Sequence, residues 1–547
     1  MKQAARLAAL APRAGPEAPV CCAPMKQAAR LALFVVLAAC ARPPRTASPP
    51  PPSSLRSPPP LAQPPARLAT TELPSLDRWR RHLSDELMPF WTTPDALGTP
   101  IGNFPTFRCA DGSAYRASAP CPELARGPGW IASELPRDYT RMKSRQTFTY
   151  GVAYHVTGEE RYLEYARAGV QWLREHAYDR ASGSAITYWE AGQPGPAPER
   201  RTTQDLAYAQ LGLAFYYYLT RDPDVLADLL ALERHVMSKY WDPALGGGML
   251  RWVLADGETP GDALRQELVA QLDQINAYLL LVWPLLEDTA VAAAWRRDLL
   301  ALADVIKDRY FAPEHGMFWG VLHDPAQRRF GGRHLDFGHS MKALWMLYLV
   351  GQAAARPDLT DFARPHVAPL LLRAAQPSGC WASEPRPDGS VNRGSQWWIS
   401  AELDQAAATL ALREPAAPGG RAPEAFARHL PRSYACWLER FVDPKGKELW
   451  PFVPADWSPA TFADGGPVKA FHWKNGYHGA EHALVALITT AGLTGQRLPL
   501  YFAFVRPPDA SRIQPYYFRG RIAARRDHPL PAHPRLRGAA VEFADIQ

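Results

Sequence analysis

Residues 337–350 read FGHSMKALWMLYLV, a helix-length run in which apolar or small side chains occupy most positions. A helix that is apolar on nearly every side is buried on every side, because no face of it is suited to water. Residues 206–219, 401–412 and 483–490 share this composition. These runs predict helices that lie at the centre of a domain.

A second class of helix carries apolar side chains on one face only. They recur every three or four residues, which is the period of an α-helix. One set comprises Tyr162, Tyr165, Ala166, Gly169, Trp172 and Leu173, and another comprises Leu299, Leu302, Ile306 and Tyr310. Because half-buried helices alternate along the chain with fully buried ones, we expect an outer ring of helices around an inner ring.

A turn signature recurs between the helix pairs. An aromatic or small residue, often followed by Asp or Pro, leads to a glycine and then to an apolar run, and the glycines are Gly183, Gly247, Gly316, Gly379 and Gly446. Their spacings are 64, 69, 63 and 67 residues, and a related segment at 100–111 precedes them. Repetition at a fixed period indicates a fold built from one unit. Six such helix pairs predict an all-α protein, an (α/α)6 barrel with short β-hairpins on one rim.

The N-terminal residues carry the features of an export signal. A basic start at Met25 precedes an apolar run at 31–39, which is too short to span a membrane. Residues 37–40 read LAAC, which resembles the lipobox of bacterial lipoproteins and implies cleavage before Cys40 and acylation of its thiol. An ordinary signal beside a chance cysteine is the alternative. The first eight residues recur from Met25, so we expect Met25 to be the true start.

Composition divides the chain into four segments. Residues 1–40 form the signal region, and residues 41–73 hold eleven prolines, which favours a disordered, polyproline-like tether without a core. Residues 74–500 are the predicted barrel and catalytic domain, and residues 501–547 are a C-terminal extension. We therefore expect a protein on the periplasmic side of a bacterial membrane, an outer-membrane lipoprotein attached through its lipid anchor alone.

The C-terminal extension contains two β-like runs, at 501–505 and 516–522. Arg and Pro dominate the remainder, which we expect to pack on the barrel and then to fray. The sequence assigns this segment no task.

Charge and cysteine content narrow the class of partner. A formal net charge of +7 and a pI near 9.0 are modest for 547 residues, and no basic run is interleaved with aromatic residues, which argues against nucleic acid. Cys109 and Cys121 flank a loop, and in an oxidising compartment we expect a disulfide between them. Cys380 and Cys436 are predicted to be buried thiols. The oligomeric state stays open.

Polar residues on the inner helices are the candidates for function, because inner helices of such a barrel face a central cavity. His339 lies at the start of the helix quoted above, and His478 lies at the start of the last inner helix. A hydrogen-bonded core histidine is the alternative for each. Two histidines at equivalent helix starts, both with aromatic and glycine neighbours, indicate a shared site.

Several fragments, taken in order along the chain, resemble those of one enzyme family. They are Phe90-Trp91 with Ala110-Asp111-Gly112, Ser144-Arg145-Gln146, Phe337-Gly338-His339 through Trp345, Gln396 through Glu402, and Trp473-Lys474-x-x-Tyr477-His478. The set resembles the N-acylglucosamine 2-epimerase superfamily, which includes cellobiose 2-epimerases and mannose isomerases. The resemblance spans roughly residues 80–495. It implies a barrel enzyme that acts on a small sugar and needs no cofactor.

The resemblance implies proton transfer at carbon 2 of a reducing mono- or disaccharide in its open-chain form. Removal of that proton gives a cis-enediolate, and its return to carbon 2 or to carbon 1 gives an epimer or an isomer. The implied acid/base groups are His339 and His478. Imidazole suits this task because its ordinary pKa lies near neutrality. The sequence does not separate epimerase from isomerase.

The same resemblance implies a set of substrate-binding residues. Arg145 would bind the sugar and oppose oxyanion charge. Trp398 and Trp473 would stack on sugar rings, and Trp397 joins them. Glu402 shares a helix face with Trp398, four residues away, and would hold a hydroxyl or orient a histidine. Barrel packing is the alternative for the tryptophans.

Three positions depart from the family's pattern. The family's Glu after the first histidine is Lys342 here, and its Arg after the second histidine is Glu481. We predict that Lys342 and Glu481 face each other as an ion pair with exchanged signs. The family's histidine-bearing helix reads QLDQINAY at 271–278, without a histidine, and Asp273 is the expected substitute.

Three other functions stay open beside an epimerase or isomerase. Residues His478 to His482 match the H-x-x-E-H pattern of zinc metallopeptidases, although we predict no metal. A glycoside hydrolase on the same barrel needs two carboxylates across the cavity, and the candidates are Asp336, Glu402, Asp273 and Glu190. A sugar-binding lipoprotein that has lost activity through the three departures is the third.

Overall fold

The computed structural model describes residues 72–257, 259–415, 423–457 and 467–547. The expected signal region, the lipidation site at Cys40 and all but the last two residues of the expected tether lie outside these ranges. Within them, no helix combines the length and the apolarity that crossing a membrane requires.

Six inner helices alternate with six outer helices in the described part of the chain. The inner helices are α2 (Thr140–Thr157), α4 (Thr203–Thr220), α6 (Leu268–Gln274), α8 (Phe337–Ala353), α10 (Trp397–Arg413) and α12 (Tyr477–Thr494). The outer helices are α1 (Leu76–Arg81), α3 (Glu160–Trp172), α5 (Pro223–Lys239), α7 (Thr289–Val305), α9 (Pro357–Ala374) and α11 (Leu430–Cys436). Neighbouring inner helices pack together, and α12 returns to α2. The prediction of an (α/α)6 barrel is confirmed.

Shorter helical segments extend the twelve helices or fill their connections. Turns of π-helix continue five of them at His82–Leu87, Leu173–Ala177, Ile275–Leu279, Ile306–Tyr310 and Trp437–Phe441. Short α-helices lie at Met88–Trp91, Pro94–Leu97, Pro122–Ala125, Gly129–Ala132, Leu280–Val282 and Glu424–Ala427. Single 3-10 turns lie at Pro198–Arg200, Leu245–Gly247, Asp262–Leu264, Trp283–Leu285, Pro325–Gln327 and Ala510–Arg512.

Burial follows the two patterns in the sequence. Every side chain of α12 is buried, whereas α3 buries only the face that carries Tyr162, Ala166 and Gly169. Gly212 shows how closely the inner helices approach, because a Cβ there would lie 2.5 Å from the carbonyl oxygen of Ser144 on α2. The core is therefore the interior of the inner ring and the layer between the rings.

Short antiparallel strands form the rim at which the inner helices begin. The strands are β1 (Arg137–Tyr139), β2 (Tyr178–Asp179), β3 (Ser184–Ala185), β4 (Tyr188–Glu190), β5 (Gln193–Gly195), β6 (Trp241–Asp242), β7 (Met249–Leu250), β8 (Phe311–Ala312), β9 (Met317–Phe318), β10 (Glu384–Pro385), β11 (Val391–Asn392), β12 (Ser395–Gln396) and β13 (Phe452–Val453). They pair as β1–β4–β5, β2–β3, β6–β7, β8–β9, β10–β11 and β12–β13. Gly183, Gly247 and Gly316 adopt positive φ in the turns, which glycine does without steric cost. The expected hairpins are confirmed.

Two disulfides join segments of the described chain. The expected Cys109–Cys121 bond is present. The prediction that Cys380 and Cys436 are thiols is wrong, because they form a second disulfide across 56 residues. Packing of α11 against the segment that follows α9 brings Cys380 and Cys436 together. The sequence around either cysteine does not predict that contact.

A three-stranded antiparallel sheet closes the end of the barrel opposite the rim. Its strands lie in the order β14 (Leu498–Phe504), β16 (Arg537–Ala544) and β15 (Arg521–Pro529), and β14 packs on α2 and α4. The hydroxyl of Tyr154, near the end of α2, donates to the carbonyl oxygen of Phe502 over 2.9 Å. The first expected β run is therefore confirmed.

Two expectations for the C-terminal extension are wrong. Residues 516–520 form a turn instead of a strand, and β15 begins only at Arg521. The tail does not fray, because β16 alternates buried and half-buried side chains as the middle strand of the sheet, with Val541 and Phe543 in the core. The Arg- and Pro-rich composition hid this alternation.

We predict that the Cys380→Ala/Cys436→Ala variant loses about 2–4 kcal/mol of unfolding free energy, since the disulfide restricts the unfolded chain. Urea unfolding of wild type and variant measures the loss. The Cys109–Cys121 bond closes a loop of only 12 residues, so the Cys109→Ala/Cys121→Ala variant is expected to lose less unfolding free energy. Peptide mapping without reduction that finds free thiols at 380 and 436 would contradict the assignment.

Candidate active site

A cavity of about 460 Å³ lies where the inner helices begin. Nine residues that the sequence singled out line it, namely Arg145, Asp273, Asp336, His339, Lys342, Trp397, Trp398, Trp473 and His478. Glu402 and Glu481 are buried and do not line it, but each carboxylate lies within 4.0 Å of a lining residue, Lys342 and His478 respectively. The fold therefore gathers residues from five inner helices at one opening.

His339 is held by the residue that begins its own helix. One oxygen of Asp336 accepts the backbone N–H of His339 over 2.8 Å, which caps α8, and the other lies 2.7 Å from Nδ1 of the ring. Burial alone would raise the pKa of Asp336, but the charge and hydrogen bonds of His339 lower it below its ordinary value. An ionised Asp336 accepts the proton of Nδ1, which leaves Nε2 as the basic nitrogen.

His478 lies deeper than His339 and has a weaker partner. Its side chain is 8% exposed, and Nδ1 lies 3.9 Å from a carboxylate oxygen of Glu481. Burial, followed by the charges of Arg145 and Lys342, lowers the pKa of His478 well below its ordinary value. This imidazole is therefore neutral near pH 7.

Lys342 pairs with Asp273 on the floor of the cavity. Nζ of Lys342 lies 2.8 Å from Oδ1 of Asp273, which also accepts the hydroxyl of Tyr208 over 3.0 Å. Gln204 donates to the other oxygen of Asp273 over 2.8 Å. Burial opposes both charges, yet their attraction raises the pKa of Lys342 and lowers that of Asp273.

The predicted ion pair between Lys342 and Glu481 is wrong. Glu481 accepts a hydrogen bond from Tyr516 instead, over 2.6 Å, and Lys342 has Asp273 as its closest carboxylate. The physical reason is that α6 offers an acidic residue nearer to Lys342 than α12 does.

Glu402 is a buried acid that burial and its neighbours keep protonated. Burial raises the pKa of Glu402 to about 8, and the charge of Glu481 adds to the rise while that of Lys342 opposes it. The indole of Trp345 donates to Glu402 over 2.9 Å. Glu402 therefore lies behind the lining of the cavity, 4.0 Å from Lys342, and its expected role of holding a sugar hydroxyl or orienting a histidine stays a prediction.

The predicted tryptophans form one side of the cavity. The ring of Trp398 lies 4.7 Å from that of His339 and 6.5 Å from that of His478, measured between centroids. The guanidinium of Arg141 stacks on Trp473 at 3.9 Å. Arg145 donates to the carbonyl oxygen of Trp473 over 2.7 Å, and its buried Nε has no hydrogen-bond partner among the described residues.

A family model described as N-acylglucosamine 2-epimerase matches residues 131–450. The match covers more than half of the chain. The chain belongs to the N-acylglucosamine 2-epimerase family. Membership confirms the expected enzyme class, that of carbohydrate epimerases and isomerases.

Relatives and solved structures of this family agree with the match. A cellobiose 2-epimerase of Bacteroides fragilis is 21% identical over 271 residues, which is 48% of this chain and 67% of the relative. The structure of cellobiose 2-epimerase from Spirochaeta thermophila has a TM-score of 0.58 at 20% identity and covers 76% of this chain and 96% of its own. That of a D-mannose isomerase has a TM-score of 0.57 at 15% identity, with coverage of 76% and 97%. At these identities the structures show the shared barrel.

This member of the N-acylglucosamine 2-epimerase family carries cavity residues that the sequence reading missed. Gln204 and Tyr208 lie four apart on α4, and both bind Asp273. They are polar residues on an otherwise apolar helix, so the test that found His339 could have found them. Glu267 lies farther out, where it pairs with Arg265 and Arg333.

His334 is a further missed residue of the cavity wall. It adopts a positive φ of 57° and places its ring 4.7 Å from that of His339. Burial, followed by the charge of His339, lowers the pKa of His334 to about 3, so it stays neutral and packs as a polar ring. Its position in a loop between β9 and α8 gave no periodic signal.

A second cleft of about 620 Å³ adjoins the cavity. The two share Gln396, Trp397, Trp398 and Trp473. The outer wall of the cleft includes Trp130, which is 54% exposed, and Phe452, which is 43% exposed. Trp130 lies just before the region that the family model matches.

The geometry does not fit two of the alternatives. His482 turns away from the cavity to bind Asp404 over 2.8 Å, and among the described residues His478, Glu481 and His482 do not gather as a metal-binding cluster. A hydrolase would need two free carboxylates across the cavity. Of the four candidates, Glu190 and Glu402 do not line the cavity, and Asp273 and Asp336 are bound to Lys342 and His339.

We predict that Lys342→Met loses about 3–5 kcal/mol of unfolding free energy at pH 7, because it leaves the charge of Asp273 buried and unpaired. Asp273 has a lowered pKa when folded, so the pair stabilises the protein above the unfolded pKa and this contribution is lost as pH falls. The difference in unfolding free energy between wild type and variant should therefore shrink as the pH falls toward about 4.

Urea unfolding across this pH range measures the effect of Lys342→Met. Lys307→Met is the matched control, because Lys307 makes only surface pairs and should cost less than about 1 kcal/mol. Adding Asp273→Asn to Lys342→Met should restore most of the loss. A loss equal to that of the control would contradict the buried pair.

Proposed function

We propose that the protein is a sugar 2-epimerase or an aldose–ketose isomerase that acts on a reducing sugar through two histidines. One observation carries the proposal: His339 and His478, from two different inner helices, line the same cavity with Trp398 within 6.5 Å of both rings. The relatives named as cellobiose 2-epimerases and the structure named as a D-mannose isomerase support the two forms of the reaction.

His339 is equipped to take the proton from carbon 2 of the open-chain sugar. Oδ2 of Asp336 lies 2.7 Å from Nδ1 of His339 and accepts a hydrogen bond from it. The lone pair of Nε2 therefore accepts the substrate proton. The resulting imidazolium lies beside a carboxylate that stabilises it. As the C–H bond breaks, its electron pair forms the double bond between carbons 1 and 2, and negative charge moves to the carbonyl oxygen.

Two cations in the cavity stabilise the negative charge that develops on the carbonyl oxygen. The guanidinium of Arg145 retains an unpartnered buried N–H, and the ammonium of Lys342 lies on the floor. Donors that the fold already holds in place stabilise an enediolate more than water does, because they need not reorganise during the reaction. Lys342 takes a place where the family pattern has a carboxylate, so its contribution is particular to this chain.

His478 completes the reaction from a second direction. If the imidazolium of one histidine returns its proton to carbon 1, the product is the isomer. If the other histidine delivers a proton to the opposite face of carbon 2, the product is the epimer. Because its lowered pKa keeps His478 neutral near pH 7, it is ready to take a proton from carbon 2, and in the direction in which it delivers one it must first gain that proton.

The adjoining cleft supports a substrate larger than one sugar ring. Its outer wall has aromatic faces at Trp130 and Phe452 and is continuous with the cavity through Trp398. Aromatic faces pack against the apolar faces of sugar rings. We therefore propose a reducing disaccharide or longer sugar, with its reducing end at the histidines and the next unit toward the cleft.

We also propose that the enzyme works outside the cytoplasm as a lipid-anchored protein. The support is the lipobox-like sequence that ends at Cys40 together with two disulfides, since disulfides persist mainly in oxidising compartments.

We predict that the protein catalyses exchange of the carbon-2 hydrogen of a reducing sugar with solvent deuterium. His339→Gln and His478→Gln should each lower the exchange rate at least about 100-fold, because general acid–base catalysis by one side chain contributes that much. NMR of a panel of reducing mono- and disaccharides in deuterated water measures the exchange and separates deuterium at carbon 2 from deuterium at carbon 1.

His366→Gln is the control for these variants, because His366 lies on the outer helix α9 and bonds a backbone carbonyl. It should keep the wild-type rate within about twofold. Tight sugar binding without exchange would instead identify a sugar-binding protein without activity. Cleavage of a disaccharide would identify a hydrolase.

We predict that Trp130→Ala lowers kcat/KM for a reducing disaccharide or trisaccharide about 3- to 10-fold, since an aromatic contact is worth about 1 kcal/mol. The value for a monosaccharide should not change. Leu372→Ala is the control, because Leu372 is 61% exposed and lies on the outer helix α9. Equal effects on both classes of sugar would contradict a role of the cleft in binding the second unit.

A further inference from the structure

The C-terminal extension reaches the cavity floor from the opposite end of the barrel. Between β14 and β15, residues Tyr516 and Tyr517 are buried. The backbone N–H of Tyr516 donates to the hydroxyl of Tyr218 over 2.9 Å, and the hydroxyl of Tyr517 donates to the carbonyl oxygen of Asn276 over 3.2 Å. This segment lies beyond residue 450, where the family match ends.

Tyr516 connects this extension to His478 through one carboxylate. Its hydroxyl donates to Oε1 of Glu481 over 2.6 Å, and Oε2 of Glu481 lies 3.9 Å from Nδ1 of His478. In the described part of the chain, no other carboxylate lies within 4.0 Å of His478, and Nδ1 has no hydrogen-bond partner. The charge and direction of Glu481 therefore decide how well His478 carries a proton.

We propose that Tyr516 is a positioning residue for His478: its hydrogen bond to Oε1 fixes Glu481 so that Oε2 faces the imidazole. The proposal rests on the acid/base function proposed for His478. When that ring is protonated during the reaction, the nearby carboxylate stabilises it. The extension thus completes a site whose other residues come from the barrel.

The charges around His478 explain why this support matters. Arg145 from α2, Lys342 from α8, Lys474 from the segment before α12 and His339 all disfavour its protonated form. Glu481 is the nearby group of opposite sign. Without Glu481, a protonated His478 would have only these positively charged groups around it.

Glu481 itself depends on its hydrogen-bond donors. Burial raises the pKa of Glu481, and hydrogen bonds from Tyr516 and Tyr477 and the charges of Lys342 and Arg145 act against that rise. The buried Glu402 on α10 faces the same group of side chains and contributes to the raised pKa of Tyr477. Removing the hydroxyl of Tyr516 should push the carboxyl of Glu481 further toward its neutral form.

The test is Tyr516→Phe, with Tyr517→Phe as the matched control. Both remove a buried hydroxyl from the same turn, but only Tyr516 donates to Glu481. We expect Tyr516→Phe to lower kcat about 5- to 10-fold, the cost of about 1 kcal/mol for a lost hydrogen bond, and to change KM less than twofold. The acid limb of its kcat profile should move to higher pH by about one unit, and Tyr517→Phe should keep the wild-type limb.

Glu481→Gln and the double variant separate coupling from a general structural effect. Glu481→Gln should remove the acid limb, and adding Tyr516→Phe to it should lower kcat no further, because the two side chains act as one unit. Additive losses, or a wild-type acid limb in Tyr516→Phe, would overturn the proposal.

A stability measurement tests the same coupling without activity. The cost of Tyr516→Phe should grow as the pH rises above the ordinary glutamate pKa of about 4.3, because a folded Glu481 with a raised pKa then ionises without its donor. The cost should not vary with pH in the Glu481→Gln background. A cost independent of pH in both backgrounds would refute the coupling. If the wild type does not exchange the carbon-2 hydrogen of any sugar, the proposed function is overturned. The dependence of stability on pH would still test the coupling between Tyr516 and Glu481.

Discussion

The interior of the inner helix ring is the constraint on which the rest of the structure depends. Six helices are buried on nearly all sides, so any charge placed among them loses its water and must be paired or neutralised. Three carboxyl groups near the cavity follow this rule in different ways. Asp273 has Lys342, Asp336 has His339, and Glu402 is protonated.

The same constraint gives the two cavity histidines different environments. His339 lies at the rim beside an ionised carboxylate at 2.7 Å, while His478 lies deeper with its carboxylate at 3.9 Å and several cations nearby. Two imidazoles with different environments around one cavity are what the proton transfer that we propose requires. The difference arises from depth and partners, because the residue type is the same.

Departures from the family pattern are compensated by the surroundings and not by each other. Lys342 is neutralised by Asp273 on α6, and Glu481 is held by Tyr516 from the C-terminal extension. Each change of sign on an inner helix thus has a partner from a different part of the chain. The cavity keeps its balance of charge although its floor carries an ammonium group.

Features that depend on local periodicity or backbone conformation were readable from the sequence alone. The mostly apolar run at 337–350, the helix at 160–172 with one apolar face and the glycine turns predicted the two rings and the hairpins, because burial and positive φ act residue by residue. Only the tertiary structure decided the second disulfide, the partner of Lys342 and the reach of Tyr516 into the barrel. These contacts join residues 35 to 69 positions apart, and their distances depend on how whole helices pack.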